Sequence, residues 1–271
     1  MTAAAAAAAA AAPVPVPQAI NENILEEDEK VSIPGCFPDS TTILVSPSRK
    51  PNTTTTTTTN SNSNTSHKKP LIQASPYPEP DHLLDLTTLD RQPRLLAKAL
   101  TTLTNTRADY ATAPYAESFN WDTVFQTLQD LANSDPDPEP ETEPETETAP
   151  PKKANWTPQS FYVVVFRSVL RETADLDLLY RLDFESHREA VESGGLLKYW
   201  FGVRNERREN LATCIWRSRH DARVGGTGPW HKKARGAARE LYEGIEFTTL
   251  ELVVGGSVGE WELRDWVEHA V

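Results

Sequence analysis

The segment FYVVVFR, Phe161 to Arg167, constrains this chain most. Its β-branched and aromatic residues read as a strand, and an unbroken apolar run suits neither face of a strand to water. A fold built on it must cover a sheet from both sides. The flanking segments say how. From Ala174 to Val191, the residues Leu176, Leu179, Tyr180, Phe184, Ala190 and Val191 recur at helical spacing, and Gly194 and Gly195 end the helix. LLKYWFGV (Leu196–Val203) and NLATCIWRS (Asn210–Ser218) read as strands joined by the charged turn RNERRE. Pro229 sits at the tolerated first turn of a second helix that buries Trp230, Ala234, Ala237, Ala238, Leu241 and Tyr242. IEFTTLELVV (Ile245–Val254) alternates like a final strand. The order β-α-β-β-α-β predicts an α+β, ferredoxin-like sheet with both helices on one face.

That arrangement leaves the other face bare, and Val163, Val165, Trp200 and Ile215, or their neighbours one position along, are too apolar for water. Two covers are available: a second copy, giving a homodimer through the open sheet face, or helices upstream. Residues 77–132 supply such helices. Leu95, Leu96, Ala99, Leu100 and Leu103 share a face behind Pro93, and Trp121, Val124, Phe125, Leu128 and Leu131 do so after Asn120, read as an N-cap. Neither helix is long enough to fold alone.

The rest of the chain has a different composition. Residues 1–76 hold ten consecutive alanines, PVPVP and a threonine run, Thr53–Thr59, and are expected to be a disordered tail. Residues 133–155 carry seven acidic side chains spaced by prolines and read as an extended linker. The expected domains are thus a tail (1–76), a helical segment (77–132), a linker (133–155) and a ferredoxin-like domain (156–271). The last holds 16 Lys and Arg against 18 Asp and Glu, so only -2 of the chain's -12 lies there. No basic stripe exists for nucleic acid, and no run suits a membrane span. Cys36 and Cys214 stand in unlike contexts, which excludes a disulfide framework and fits a reducing compartment, cytoplasm or nucleus. Cys214 reads as a small core residue.

Several residues carry candidate chemistry. Asp183 and His187 lie one turn apart in the apolar stripe of the first helix, where a carboxylate would orient an imidazole and favour its charged form. A buried structural pair is the alternative. His231 lies near the buried face of the second helix, as a pocket acid/base or as a first-turn histidine. Trp200, Trp216 and Trp230 would line an aromatic pocket or sit in the core. Arg167, Arg217 and Arg219 end strands expected to lie near each other, to bind an anion or pair with surface carboxylates. GGTGPWHKKAR, Gly225 to Arg235, resembles an anion cradle but departs from the phosphate-loop pattern, leaving weak anion attraction at a helix N-terminus.

FYVVVFRSVL, SGGLLKYWFGV, NLATCIWRSRHDAR and GPWHKKARGAARELYEGIEF, with LLDLTTLDRQPRLLAKALTTL and SFNWDTVF upstream, resemble a fungal protein family of unassigned activity. The resemblance spans roughly Asp81 to Trp261 apart from the acidic insert. More weakly, the C-terminal half is similar to the dimeric α/β-barrel superfamily of antibiotic biosynthesis monooxygenases and haem-degrading enzymes. That similarity implies a match of Trp216 to their strand-end tryptophan and of His231 to their iron-ligating helix histidine. The asparagine those enzymes carry on the first strand is absent from FYVVVFRS. No complete motif specifies a metal or other cofactor. Two functions remain: a non-catalytic module that self-associates or binds a partner, or an enzyme or binder of a small aromatic or tetrapyrrole-like molecule. In the second, His231 or Asp183 with His187 would be the acid/base, and Trp216, Trp230, Trp200 and Arg217 would contact the ligand.

Overall fold

The structure, a computed structural model, describes residues 69–134 and 156–267. The alanine and threonine tracts and the acidic linker lie outside the described residues, as does Cys36. Described in chain order, β1 (Leu71–Ile72) pairs with β2 (Leu84–Asp85), followed by helices α1 (Arg91–Ala99), α2 (Tyr115–Ser118) and α3 (Trp121–Ser134). Then come β3 (Gln159–Leu170), α4 (Leu176–Ser193), β4 (Leu196–Phe201), β5 (Glu209–Trp216), α5 (Arg219–Gly225), α6 (Pro229–Leu241), β6 (Tyr242–Val254) and β7 (Trp261–Asp265). Segment Lys69 to Ser75, read from the sequence as tail, is packed: Ala74 and Ser75 are buried, and the carbonyl of Ala74 accepts the N–H of Tyr199 on β4. Among the described residues no helix is long and apolar enough to cross a membrane.

The five long strands form one sheet in the order β4-β5-β3-β6-β7, with every neighbouring pair antiparallel. Without β7, that order is last, first, third, second, which is the ferredoxin-like arrangement expected from β-α-β-β-α-β. FYVVVFR lies at its centre. Phe161, Val163 and Val165 pack with one core, while Tyr162, Val164 and Phe166 pack with the other. Both halves of the period-2 alternation are apolar because both faces are covered.

Helices α4 and α6 cover the second face, contributing Leu179, Leu182, Ala190, Ala234 and Leu241 to its core. The side chain of Asp175 caps α4 by accepting the N–H of Leu178, and Gly194 ends it at φ 86°, a left-handed conformation that favours glycine. The first face is where the sequence left two covers open. Leu95, Leu96, Leu100, Trp121, Val124, Phe125 and Leu128 fill it from within the chain, against Val163, Leu197, Leu211, Ile215 and Leu252. A homodimer through an open sheet face is therefore corrected: that face is occupied.

Three further points depart from expectation. Asn120 does not spend its side chain on α3: its oxygen accepts the N–H of Thr104 at 2.8 Å and its amide donates to the carbonyl of Thr102 at 3.0 Å, tying the helix entry to the preceding loop. RSRHDAR forms α5, whose cap Ser218 accepts the N–H of Asp221. The strand β7 lies outside β6, and its Trp261 stacks on Phe125 of α3 with centroids 4.7 Å apart.

Candidate functional site

Between α4, β4 and the strap that runs from β1 to β2 lies a buried polar cluster. On α4, Leu179, Asp183, Ser186, His187 and Ala190 share the buried stripe. Tyr199 reaches the same space from β4. The strap supplies Tyr77 and, from a single helical turn at Pro80–His82, His82.

Asp183 organises the cluster. It accepts a short hydrogen bond from the Tyr77 hydroxyl through Oδ2, and one from the Tyr199 hydroxyl through Oδ1 at 2.7 Å. Burial and the adjacent carboxylate push both phenols well above their ordinary range, so they donate rather than ionise. His187 pairs with His82: their Nδ1 atoms are 2.7 Å apart, and the rings stack with centroids at 5.0 Å. One imidazole must donate and the other accept, so a neutral pair satisfies that contact and a doubly charged pair breaks it. Burial, then the neighbouring His82 and His231, hold His187 well below an exposed histidine, and burial lowers His82 as well. The expectation that Asp183 keeps His187 charged is reversed, because the imidazole faces other imidazoles in a dry site.

Aromatic rings enclose these polar groups. The Tyr77 ring lies within 6.5 Å, centroid to centroid, of His82, His187, Phe184, Phe201, Tyr180 and Tyr199. His82 Nε2 in this cluster and Ser186 Oγ on the buried stripe of α4 have no hydrogen-bond partner.

His231 stands near this cluster but is committed elsewhere. Its Nδ1 is 2.9 Å from Oε2 of Glu189 on α4, and the same carboxylate accepts the backbone N–H groups of Trp230 and His231. The N-terminus of α6 thus already holds an anion, the chain's own. A Cβ at Gly228 would come within 2.1 Å of that carboxylate, which explains a glycine there in GGTGPWHKKAR. Burial outweighs Glu189 and leaves His231 below its ordinary value. Glu189→Ala is expected to lower stability by about 2 kcal/mol, because it leaves buried donors unpaired; urea unfolding measures this, and a loss under about 0.5 kcal/mol would mark the contact as incidental.

The tryptophans do not converge. Trp216 is fully buried against Gly225, where an added Cβ would come within 2.4 Å of its ring. Trp200 lies on the opposite face of the sheet with Tyr110 and Phe119. Trp230 is half-buried under the Lys233 amine, 3.7 Å from its centroid. The arginines separate too: Arg167 is opposite Leu211, whereas Arg217 follows Trp216, which is opposite Tyr162 at the other end of the same strand pair. Arg217 forks onto Asp221 at 2.8 and 2.9 Å, and Arg167 clamps the carbonyls of Tyr110, Ala111 and Ala113. Cys214 is buried and its thiol pushed up by burial, as a core residue requires. A haem between helices and sheet does not fit this arrangement, since Tyr77 and His82 fill the space and His231 is engaged by Glu189. Among the described residues no group of three or more His, Cys, Asp or Glu is placed to hold a metal.

Sequence reasoning missed Tyr77, His82, Tyr199 and Glu189. The available signal was a tyrosine and a histidine in SPYPEPDH, a stretch otherwise suited to solvent.

Comparison with known proteins matches residues 73–265 to the PB2B2.08-like family. UPF0643 protein PB2B2.08 of Schizosaccharomyces pombe is 36% identical over 196 residues, covering 69% of this chain and 81% of that protein. Among solved structures, Rv0793 from Mycobacterium tuberculosis is similar at 21% identity and a TM-score of 0.30, covering 33% of this chain and 92% of its own. A candidate antibiotic biosynthesis monooxygenase from Chloroflexus aurantiacus is similar at 16% identity and a TM-score of 0.28, covering 33% and 89%. With a match over most of its described length, the chain belongs to the PB2B2.08-like family, UPF0643.

Proposed function

We propose that the folded region binds a small aromatic molecule between α4 and the sheet, in the place that the strap's Tyr77 ring fills in this structure. One observation carries this reading. A carboxylate and two imidazoles are buried among aromatic rings, and His82 Nε2 there, like Ser186 Oγ on the buried stripe of α4, lacks a partner. Buried polar groups of this kind cost stability that apolar side chains of the same volume would not. Polar groups converging inside apolar walls are what a ligand site needs. Asp183, Tyr199 and His187 would give a ligand its hydrogen bonds, and Phe184 and Phe201 its walls.

The test is a screen of mono- and bicyclic aromatic compounds against the full chain, read by thermal unfolding and by amide protection of α4 and β4. A ligand at ten times its Kd adds about 1.4 kcal/mol, a shift of about 3 °C at this size. If no compound protects α4 and β4, the reading fails.

A partner-binding module has support of its own. From Glu243 to Thr248, β6 extends beyond the five residues that pair with β7, and Phe247 there is 38% exposed. Among the described residues no strand pairs with that edge, and such an edge is a template for another strand. Self-association through it would appear in light scattering as a dimer that Phe247→Lys abolishes.

A further inference from the structure

Tyr77 occupies the enclosure as a ligand would. Its ring comes from outside the β-α-β-β-α-β unit and lies among side chains that the unit supplies: Phe184 and His187 from α4, and Tyr199 and Phe201 from β4. Its hydroxyl ends on Asp183. The chain that delivers it alternates with proline at Pro76, Pro78 and Pro80. Proline has no N–H and holds an extended backbone, so this part of the strap contributes little to any backbone ladder. Its contacts with α4 are made by side chains, Tyr77 on Asp183, His82 on His187 and Asp81 beside Arg188, while at its start the Ala74 carbonyl accepts the N–H of Tyr199.

We propose that the ligand of this site is a phenol, and that Tyr77 is its built-in competitor. This rests on the binding reading above and names the class of ligand. A small phenol takes the place of the Tyr77 ring, donates its hydroxyl to Oδ2 of Asp183 beside the bond from Tyr199, and frees residues 74–83 from α4. An aromatic hydrocarbon of the same shape fills the walls but leaves that carboxylate oxygen buried without its donor. Sites built around a hydrogen bond reject analogues that lack it. The expected preference for the phenol is at least about tenfold.

The probes are p-cresol and toluene, titrated into full-length Tyr77→Ala by calorimetry and into the wild-type chain by hydrogen exchange. Tyr77→Ala is expected to bind p-cresol at least about tenfold more tightly than toluene. In the wild type, saturating p-cresol is expected to speed exchange across residues 74–83 while slowing it in α4, a response that a purely structural Tyr77 does not give. Equal binding of the two probes overturns the phenol assignment and leaves an aromatic pocket standing. Binding of neither to a folded variant overturns both readings. Binding to Tyr77→Ala with an unchanged strap in the wild type overturns the competitor role. If Tyr77→Ala does not fold alone, p-cresol should restore its folded signal and that of the milder Tyr77→Leu, and failure to rescue either one overturns the proposal.

Discussion

Replacing Trp121 with alanine is expected to cost about 3 to 5 kcal/mol. Its side chain is 2% exposed at the start of α3, edge-on to Tyr115 and Phe119 and close to Phe125 and Trp261. Removing it deletes the large ring that joins the upstream helices to one another and to the outer strand. The void falls where the surrounding backbone is held on several sides, so collapse recovers little. At this chain length the loss corresponds to a fall in Tm on the order of 10 °C. Denaturant unfolding of the full chain measures it. A change below about 1 kcal/mol would mean that these helices do not cover the sheet, and would reopen a second copy as the cover.

Acid is expected to have the next largest effect, over a defined range. His187 and His231 both have folded-state pKa values below that of an exposed imidazole, mainly because they are buried. Below about pH 6.5 the unfolded chain therefore binds protons that the folded chain refuses. Stability is fully present above that pH and falls as the pH drops toward the folded values. Each histidine that stays neutral contributes a slope of at most about 1.4 kcal/mol per pH unit, and His187, buried and facing other imidazoles, follows it furthest. His82 acts in the same direction, while Glu79, Asp81 and Glu185 near it oppose the shift and Arg188 reinforces it. Asp85, bonded to Lys69 and Thr87, is held at about 2 and titrates below this range. Unfolding free energy followed from pH 7.5 to 5 in wild type and His187→Gln tests this. A flat wild-type profile, or an equally steep variant, would show that His187 is not held neutral.

The sheet was legible in the sequence because its signals are local. FYVVVFR announces a strand buried on both faces, Gly194 a helix end and Pro229 a helix start, and each stands where the structure puts it. The shorter elements carried weaker signals of the same kind. Ser218 followed by Asp221 is a capping pattern, and Trp261 and Leu263 alternate with charged residues in β7. The site was legible only in part. Helical periodicity put Asp183 and His187 on one stripe, but two of their partners, Tyr77 and His82, lie more than 100 positions upstream, ahead of the helices read in the 77–132 segment. The charge state of His187 failed for the same reason, since it depends on His82 and on burial, not on the carboxylate one turn away. Trp200 and Trp216 looked alike as tryptophans of neighbouring strands, yet the register places them on opposite faces. Periodicity finds which residues face inward. It does not say which distant segment they will meet.

The carboxylate of Glu189 also bears on access. By holding the first turn of α6 from the middle of α4, it ties the two helices together there, which would disfavour entry between them. The strap is held to α4 by the Tyr77 and His82 side chains and by Asp81 beside Arg188, and to β4 by the Ala74 carbonyl, contacts that would have to release together for it to lift. Traffic into the interior would then run through one doorway, and the hinges of that doorway are the short β1 and β2 that anchor the strap at either end.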